Sequence, residues 1–455
     1  MSSSENQYPH FARPGWRHSR AMRVVLAVLY VIFATLLLTL TSWSPGGFLL
    51  KPHSGLSVRV QQLGRGTALI AVAILALQVV LAARLKMLDR PFGLDRVMRF
   101  HKSMAVVALS LLAAHPVLMA WSFGDASIFS LNAGMEVNLG KAALVLLLLT
   151  ILFALLFRRL GVNYQVWRFL HKGTILVVIL GFTHGFLMAD DLAVSAAKTG
   201  AWGLLVLAAG FYIYRNVFVP LWGRQRFSVV SVEPQTHNTW TLTFQPEGGG
   251  RIVPYRPGQF MFLKLRRKGF RAEQHPFTIS SSPTLDGAIT ATIKESGDFT
   301  RTIGRTQPQD VALIEAPFGR FSFVHHKAKR LLFIAGGVGI TPIMSMLRFL
   351  HDTRDQRPVT LIYANRAERD IVFRDELQAM PPNVKVAHIL SEPDENWAGP
   401  RGYVTAEAIR QYGGEGLGDS HVYLCGPWPM MKAVRKTLRS LGVSSRRVHY
   451  EKFSI

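Results

Sequence analysis

Hydrophobic positions are spread unevenly along the 455 residues: long apolar runs fill the chain up to residue 220, and short alternating or clustered ones follow. Six runs are long enough to cross a bilayer as helices: Val24–Leu40, Gly66–Ala83, Ser103–Trp121, Ala142–Phe157, Gly173–Ala189 and Ala201–Val219. Ahead of them, residues 1–19 are polar and basic (Arg13, Arg17, His18) and read as an unstructured cytoplasmic tail. The stretch LTLTSWSPGG after the first run has no small-x-small cleavage site, so a retained anchor is expected rather than a signal peptide. From Phe227 the period becomes two, in FSVVSVEPQTHNTWTLTF, GQFMFLKL and AITATIKES, which predicts strands of a small antiparallel barrel. From Lys329 the order is strand, glycine turn, helix: RLLFIAGGVGITPIMSMLRFL, VTLIYANR, VKVAHIL, and HVYLCGP before MMKAVRKTLRSLG. That order predicts a parallel, doubly wound α/β domain. The expected architecture is a six-span membrane α-helical bundle (20–222), an antiparallel β-barrel domain (223–327) and an α/β doubly wound nucleotide domain (328–455).

Charge orients the spans. Lys and Arg number 52 against 28 Asp and Glu, a net +24, but no aromatic-basic RNA motif or helix-turn-helix pattern accompanies them, so nucleic acid is not an expected partner. Arg84, Lys86, Arg90, Arg96, Arg99 and Lys102 crowd the connection between spans two and three, and Arg158, Arg159, Arg168 and Lys172 the one between four and five. The loop at 122–140 has no Lys or Arg, and the one at 190–200 carries Asp190, Asp191 and Lys198. Both termini are therefore expected in the cytoplasm, with the lipid bilayer as the chain's surroundings.

Two apolar stretches carry a histidine near each end: His101 to His115 and His171 to His184. Fourteen helical residues separate the first two rings by roughly 21 Å, and thirteen the second two by about 19–20 Å. One histidine from each helix at each level could hold two six-coordinate haems, whereas lone membrane histidines are commonly only hydrogen-bonding groups. Four in two matched pairs read as ligands, because ionisable groups are costly in lipid. The orientation places His101 beside His171 toward the cytoplasm and His115 beside His184 toward the outside. A spacing of 13 leaves the second histidine about 140° around a regular helix. Either that helix is irregular, with Gly181 the obvious place, or the two haems approach it from different sides. The single cysteine, Cys425, excludes internal disulfides and an iron–sulfur cluster held by the chain's own thiolates.

In the second half, His275-Pro276-Phe277-Thr278 ends a barrel strand, preceded by Pro257-Gly258-Gln259-Phe260 and followed by Gly297-Asp298-Phe299-Thr300, where a short helix could start. A flavin needs a pyrophosphate partner, an apolar face and a hydrogen bond to its ring, and this set offers all three. Gly336-Gly337-Val338-Gly339 sits between strand and helix, as a dinucleotide loop requires, with Thr341-Pro342 at the helix start and Cys425-Gly426-Pro427 later. Among the remaining histidines, His325 and His326 read as linker residues and His388 and His421 as strand-border residues, without a ligand pattern.

The order HPFT, GDFT, GGVGITP, CGP and a terminal aromatic resembles the ferredoxin–NADP reductase superfamily. With the histidine pairs in front, residues 20 to 455 resemble the ferric reductase/NADPH oxidase family. The resemblance implies FAD on the barrel, NADP(H) or NAD(H) on the last domain, and two b-type haems on His101, His115, His171 and His184. It implies FAD contacts from His275, Pro276, Phe277, Thr278, Ser281 and Thr300. Nucleotide contacts would come from Gly336, Gly337, Gly339, Thr341, Cys425, Gly426 and Pro427, with Arg366 on the 2′-phosphate of NADPH. Cys425 would lie at the nicotinamide, and Phe453 would stack on the flavin. It further implies a bacterial inner (plasma) membrane protein passing electrons to an external small-molecule acceptor. A ferric chelate is slightly favoured over oxygen, because Met119, one turn after His115, is apolar where oxygen-reducing relatives tend to place polar or basic groups. Lys51, His53 and Arg59 could draw an anionic chelate in. A periplasmic protein partner is the remaining alternative.

Overall fold

The computed structural model describes residues 16–42, 55–130, 132–188, 195–250, 252–414 and 416–452. Lys51, His53 and Phe453 lie outside the described residues. The chain divides into two compact units at Leu221/Trp222.

The membrane unit is helical: α1 (Trp16–Ser42), α2 (Leu56–Ala82), α3 (Lys86–Phe92), α4 (Leu94–Phe123), α5 (Met135–Leu156), α6 (Tyr164–Lys172), α7 (Ile175–Met188), α8 (Ser195–Ile213) and α9 (Val219–Trp222). Among the described residues six helical stretches are long and apolar enough to cross a membrane, α6–α7 and α8–α9 each counting as one. Their outer faces are apolar: Val106, Leu149, Val206 and Leu155 are more than half exposed, as lipid contact demands. The core between helices is built from small residues, with Ala73, Ala108, Ala197, Ala201 and Ala208 essentially inaccessible, so that backbones approach closely.

Several boundaries differ from the sequence reading: α1 starts at Trp16, inside the segment read as a tail, and α2, α4 and α5 start at Leu56, Leu94 and Met135, ahead of the apolar runs Gly66–Ala83, Ser103–Trp121 and Ala142–Phe157. The third span begins at Leu94, so Arg96, Arg99 and Lys102 ride on the first turns of α4 rather than on a loop, and Arg99 pairs with Asp95 one turn away at 2.9 Å. The fifth is broken at Gly173–Thr174, not at Gly181, which lies inside regular α7. At the break, Gly173, Thr174, Leu176 and Val177 donate to carbonyls three residues back, at 2.9, 3.1, 2.9 and 3.0 Å. A winding of three residues per turn adds about 20° per step over 3.6, so four steps recover roughly 80° of the 140° offset. At the end of α8, Tyr214–Phe218 form a π turn just before Pro220, which has no N–H to give the carbonyl of Asn216.

The second unit has two lobes. Strands β1 (Gln225–Thr236), β2 (Thr239–Pro246), β3 (Phe260–Arg266), β4 (Gln274–Thr278), β5 (Ile289–Lys294) and β6 (Val311–Phe318) pair antiparallel in the order β4-β3-β6-β1-β2-β5. The two edges close where Ser280 N donates to Thr290 O at 2.8 Å. Alternation buries Phe227, Leu242, Phe244, Met261 and Ile293 inside this barrel. The nucleotide lobe is a parallel sheet ordered β11-β10-β7-β8-β9, from β7 (Leu331–Gly336), β8 (Val359–Asn365), β9 (Val384–Leu390), β10 (His421–Cys425) and β11 (Val448–Glu451). Helices α10 (Ile340–Asp352), α11 (Arg374–Gln378), α12 (Ala406–Gly413) and α13 (Trp428–Ser440) cover it. Strand order reverses between β7 and β10, the place where doubly wound sheets bind ligands. Ser345 Oγ donates to Ser281 O at 2.6 Å and Arg348 to Ser280 O at 2.8 Å, so α10 fastens one lobe to the other.

Candidate functional site

The membrane histidines form two couples with the same geometry. Ring centroids of His101 and His171 are 6.3 Å apart at 69°, and those of His115 and His184 are likewise 6.3 Å apart at 69°. Two imidazoles bound to one first-row metal at about 2 Å, with about 1.1 Å from nitrogen to ring centre, would have centroids about 6.2 Å apart. Both couples therefore have the spacing of ligands to one metal ion between them. The helices carrying them leave room: α2 packs along α4 and α5 along α7, whereas α4 and α7 scarcely touch.

The couples differ in what aims the rings. His115 Nδ1 meets the Gly64 carbonyl at 2.9 Å and His184 Nδ1 the Glu136 carbonyl at 2.8 Å. If each Nδ1 carries the proton, Nε2 is left with its lone pair toward the partner ring, the arrangement metal-bound histidines use. Gly140 lets α5 pass at van der Waals limit: a Cβ there would sit 3.0 Å from His184 ring atoms. His101 Nδ1 and His171 Nδ1 are buried without a well-aligned hydrogen bond among the described residues, although the main chain at Gln78 approaches His101. His171 is held instead by Trp167, stacked at 5.2 Å and 22°. Gly64, Glu136, Gly140 and Trp167 were not singled out from the sequence, since a main-chain acceptor or a tight crossing leaves no residue-type signature.

On the barrel, His275 and Phe277 share one face of β4, as a two-residue spacing requires, and Pro276 points away to solvent. His275 stacks on Phe299 at 4.4 Å, and Phe277 lies 6.3 Å from the same ring. His275 Nε2 meets Glu273 Oε2 at 3.0 Å. Thr300 opens a 3-10 helix where the sequence predicts a short one, and its Oγ1 accepts the amides of Ser296 and Gly297, each at 2.9 Å. Arg267, unremarked in the sequence, is buried. Its guanidinium donates to Thr302 Oγ1 (2.9 Å) and Thr306 Oγ1 (3.3 Å) and lies 5.2 Å from the Phe299 ring centre, so it positions the whole loop. Thr278 is buried in β4. Ser281 stands apart from this group: its Oγ bonds Tyr255 Oη at 2.8 Å and accepts from Thr290 N at 3.0 Å, inside the interlobe joint.

In the nucleotide lobe the two glycine motifs meet at the switch point. A Cβ on Gly339 would lie 2.4 Å from the Cys425 carbonyl oxygen, one on Gly426 3.0 Å from Gly336 N, and one on Gly336 2.9 Å from Pro427. Gly337 adopts φ +51°, the left-handed region, and its carbonyl accepts from Tyr363 Oη at 3.2 Å. Thr341 Oγ1 donates to Val338 O at 3.1 Å, tightening the turn. Cys425 is fully buried, and that burial, with the nearby Glu451 carboxylate, pushes its thiol well above the usual range. Glu451 pairs with Cys425 in register on β11. Arg366 follows β8 on a cleft of 420 Å³ and is three-quarters exposed, 3.2 Å from Glu392 Oε1.

Known proteins agree with this division. Residues 67–182 match the ferric reductase like transmembrane component, 224–336 the FAD-binding domain, and 333–436 the oxidoreductase NAD-binding domain. The chain belongs to the ferredoxin–NADP reductase-type oxidoreductases, with a ferric reductase-like transmembrane component fused ahead of the FAD and NAD modules. It is 36% identical over 225 residues to NADH-cytochrome b5 reductase 1 of Lodderomyces elongisporus, covering 75% of that protein and 48% of this chain. It is 33% identical over 233 residues, half of this chain (50%), to the stachydrine N-demethylase reductase subunit Stc4 of Rhizobium meliloti, and spans 65% of that relative's length. The flavohemoglobin of Malassezia yamatoensis, solved with FAD and heme, shares the fold at 18% identity and TM-score 0.50, covering 88% of this chain and 100% of that one. The chain thus joins a ferric reductase-like transmembrane component to an FAD-binding domain and an oxidoreductase NAD-binding domain.

Proposed function

We propose that the chain oxidises cytoplasmic NADPH and passes the electrons across a bacterial inner membrane to an external acceptor, both termini being cytoplasmic. FAD, when bound, supplies the conversion of a two-electron hydride into single electrons, and two b-type haems supply the one-electron relay. The observation that carries the reading is the matched spacing of two imidazole couples, 6.3 Å each, on the same chain as the FAD and NAD modules. His101 and His171 would hold the haem nearer the cytoplasm, and His115 and His184 the other. The carbonyls of Gly64 and Glu136 hold the outer rings against rotation. His275, Phe277 and Phe299 present the aromatic wall to which a flavin binds, and the loop 336–339 the main-chain amides to which a pyrophosphate binds. Arg366 would favour NADPH over NADH, against the opposing charge of Glu392.

A ferric chelate is the favoured acceptor over oxygen. Met119, one turn beyond His115, lays its sulfur against Gly64 instead of presenting a hydrogen-bond donor beside the outer couple. NADPH-driven turnover of the purified protein, without oxygen but with ferric chelate, should exceed turnover in air without chelate. Fast aerobic turnover abolished by superoxide dismutase in a cytochrome c assay, with negligible anaerobic iron reduction, would instead make it an NADPH oxidase. A spectrum without reducible haem during NADPH addition would remove the relay altogether.

A further inference from the structure

Three histidines of the nucleotide lobe converge at the end of its sheet opposite the glycine loops. His421 opens β10, His449 is the second residue of β11, and His326 lies in the segment joining the lobes, ahead of β7. His421 and Tyr423 share a face of β10, and Tyr423 pairs with His449 in parallel register, so both imidazoles stand on one side of the sheet. His326 stacks on His449 at 3.9 Å. His421 Nδ1 and His449 Nε2 are 3.0 Å apart, their rings 9° from parallel. One nitrogen from each of the three lies within 4.8 Å of the other two, and all three side chains are part-buried.

We propose that His326, His421 and His449 bind a divalent transition metal of the zinc class, which ties the interlobe segment to the last two strands. An all-imidazole donor set suits zinc, nickel or copper and not magnesium or calcium, which require oxygen. With bonds of about 2.0–2.1 Å, nitrogens 3.0 Å apart subtend about 94° at the ion. Parting these two by a few tenths of an ångström reaches the tetrahedral angle; His326, stacked 3.9 Å from His449, must also swing off that ring to aim Nε2 at the ion, with water completing the fourth position.

A supporting shell is already in place. Tyr423, fully buried, holds its hydroxyl 3.0 Å from His326 Nδ1. With Nδ1–H donating to that oxygen, the Nε2 lone pair of His326 is left for a metal. Burial favours the neutral imidazole, the form that ligates. Burial, then His421 and Arg320, brings His326 down to about 4, and burial, then His326 and His421, brings His449 down to about 3. Burial and then Arg447 lower His421. Arg320 and Arg447 oppose a dication, but Arg447 spends its charge on Asp419 at 2.9 Å. Without an ion, the same three rings would be a hydrogen-bonded stack that only packs the edge of the sheet.

The test uses the full chain in detergent, stripped with chelator, reloaded with zinc chloride, dialysed and counted for retained zinc per flavin. Wild type should retain zinc, and zinc-edge X-ray absorption should show imidazole scatterers at first-row metal distance. His421→Ala and His449→Gln should each lose that equivalent while keeping flavin, and the exposed His351→Ala should keep it. Tyr423→Phe, close in shape, should weaken zinc binding about 10–100-fold by releasing His326. No retained zinc in the wild type, retention unchanged in both histidine variants, or an absorption edge without imidazole would overturn the site. Should a histidine variant lose its flavin, Tyr423→Phe and the wild-type absorption spectrum decide by themselves.

Discussion

The two units build their sites from opposite materials. In the membrane unit the candidate site is four side chains, carried by helices that barely meet and set in couples 6.3 Å apart across the space between them. In the nucleotide lobe the candidate site is main chain, and the side chains are conspicuous by their removal: a Cβ on Gly336 or Gly339 would meet its neighbours at 2.4 Å, and one on Gly426 at a tight 3.0 Å. The first kind of site is lost by deleting a ligand and the second by adding a methyl group. Side-chain sites should therefore fail one cofactor at a time, and main-chain sites should fail by distortion.

The largest effect is expected from His115→Leu or His184→Leu. Each should remove one of two haems and abolish transmembrane turnover, while flavin reduction by NADPH continues. Full haem content by pyridine haemochrome in either variant would sink the ligand assignment. Gly339→Ala comes next, because its methyl group would meet the Cys425 carbonyl at 2.4 Å. Strain of this kind costs about 1–3 kcal/mol, so stopped-flow flavin reduction should slow roughly tenfold or more with haem content intact. An unchanged rate would mean that the loop shifts freely.

Gly140→Ala probes a main-chain feature inside the side-chain site. Its methyl would press on the His184 ring at 3.0 Å. Redox titration should show one haem potential displaced and the other unmoved; equal movement of both, or of neither, would break the correspondence between Gly140 and the outer couple. The smallest effect is expected at Arg366, which is exposed and already beside Glu392. Arg366→Ala should raise KM for NADPH roughly three- to tenfold with NADH little changed, and Glu392→Gln should lower it. Unaltered discrimination in both variants would place the 2′-phosphate elsewhere.

The sequence by itself determined the order of domains, the six spans, the four membrane histidines and both glycine motifs. Each of these rests on residue type or local period: apolar length, histidine where lipid makes it costly, glycine where strand turns to helix. Only the tertiary structure decided where the fifth span breaks. The offset of thirteen residues left open an irregular helix, with Gly181 the visible glycine, or haems on different sides; the bend falls at Gly173–Thr174, where three-residue hydrogen bonds replace four. Neither could the sequence reveal what aims each ring. The Gly64 and Glu136 carbonyls belong to helices remote in the chain, and every residue has a carbonyl. The same holds for Arg267, whose partners Thr302 and Thr306 lie two barrel strands further along the chain, and for His326, His421 and His449. Read singly, His326 is a linker histidine and His421 a strand-border one, and His449 carries no signal of its own. They converge because parallel pairing sets β11 beside β10 and the interlobe segment returns to the same edge, a juxtaposition of residues 123 positions apart that no local period encodes.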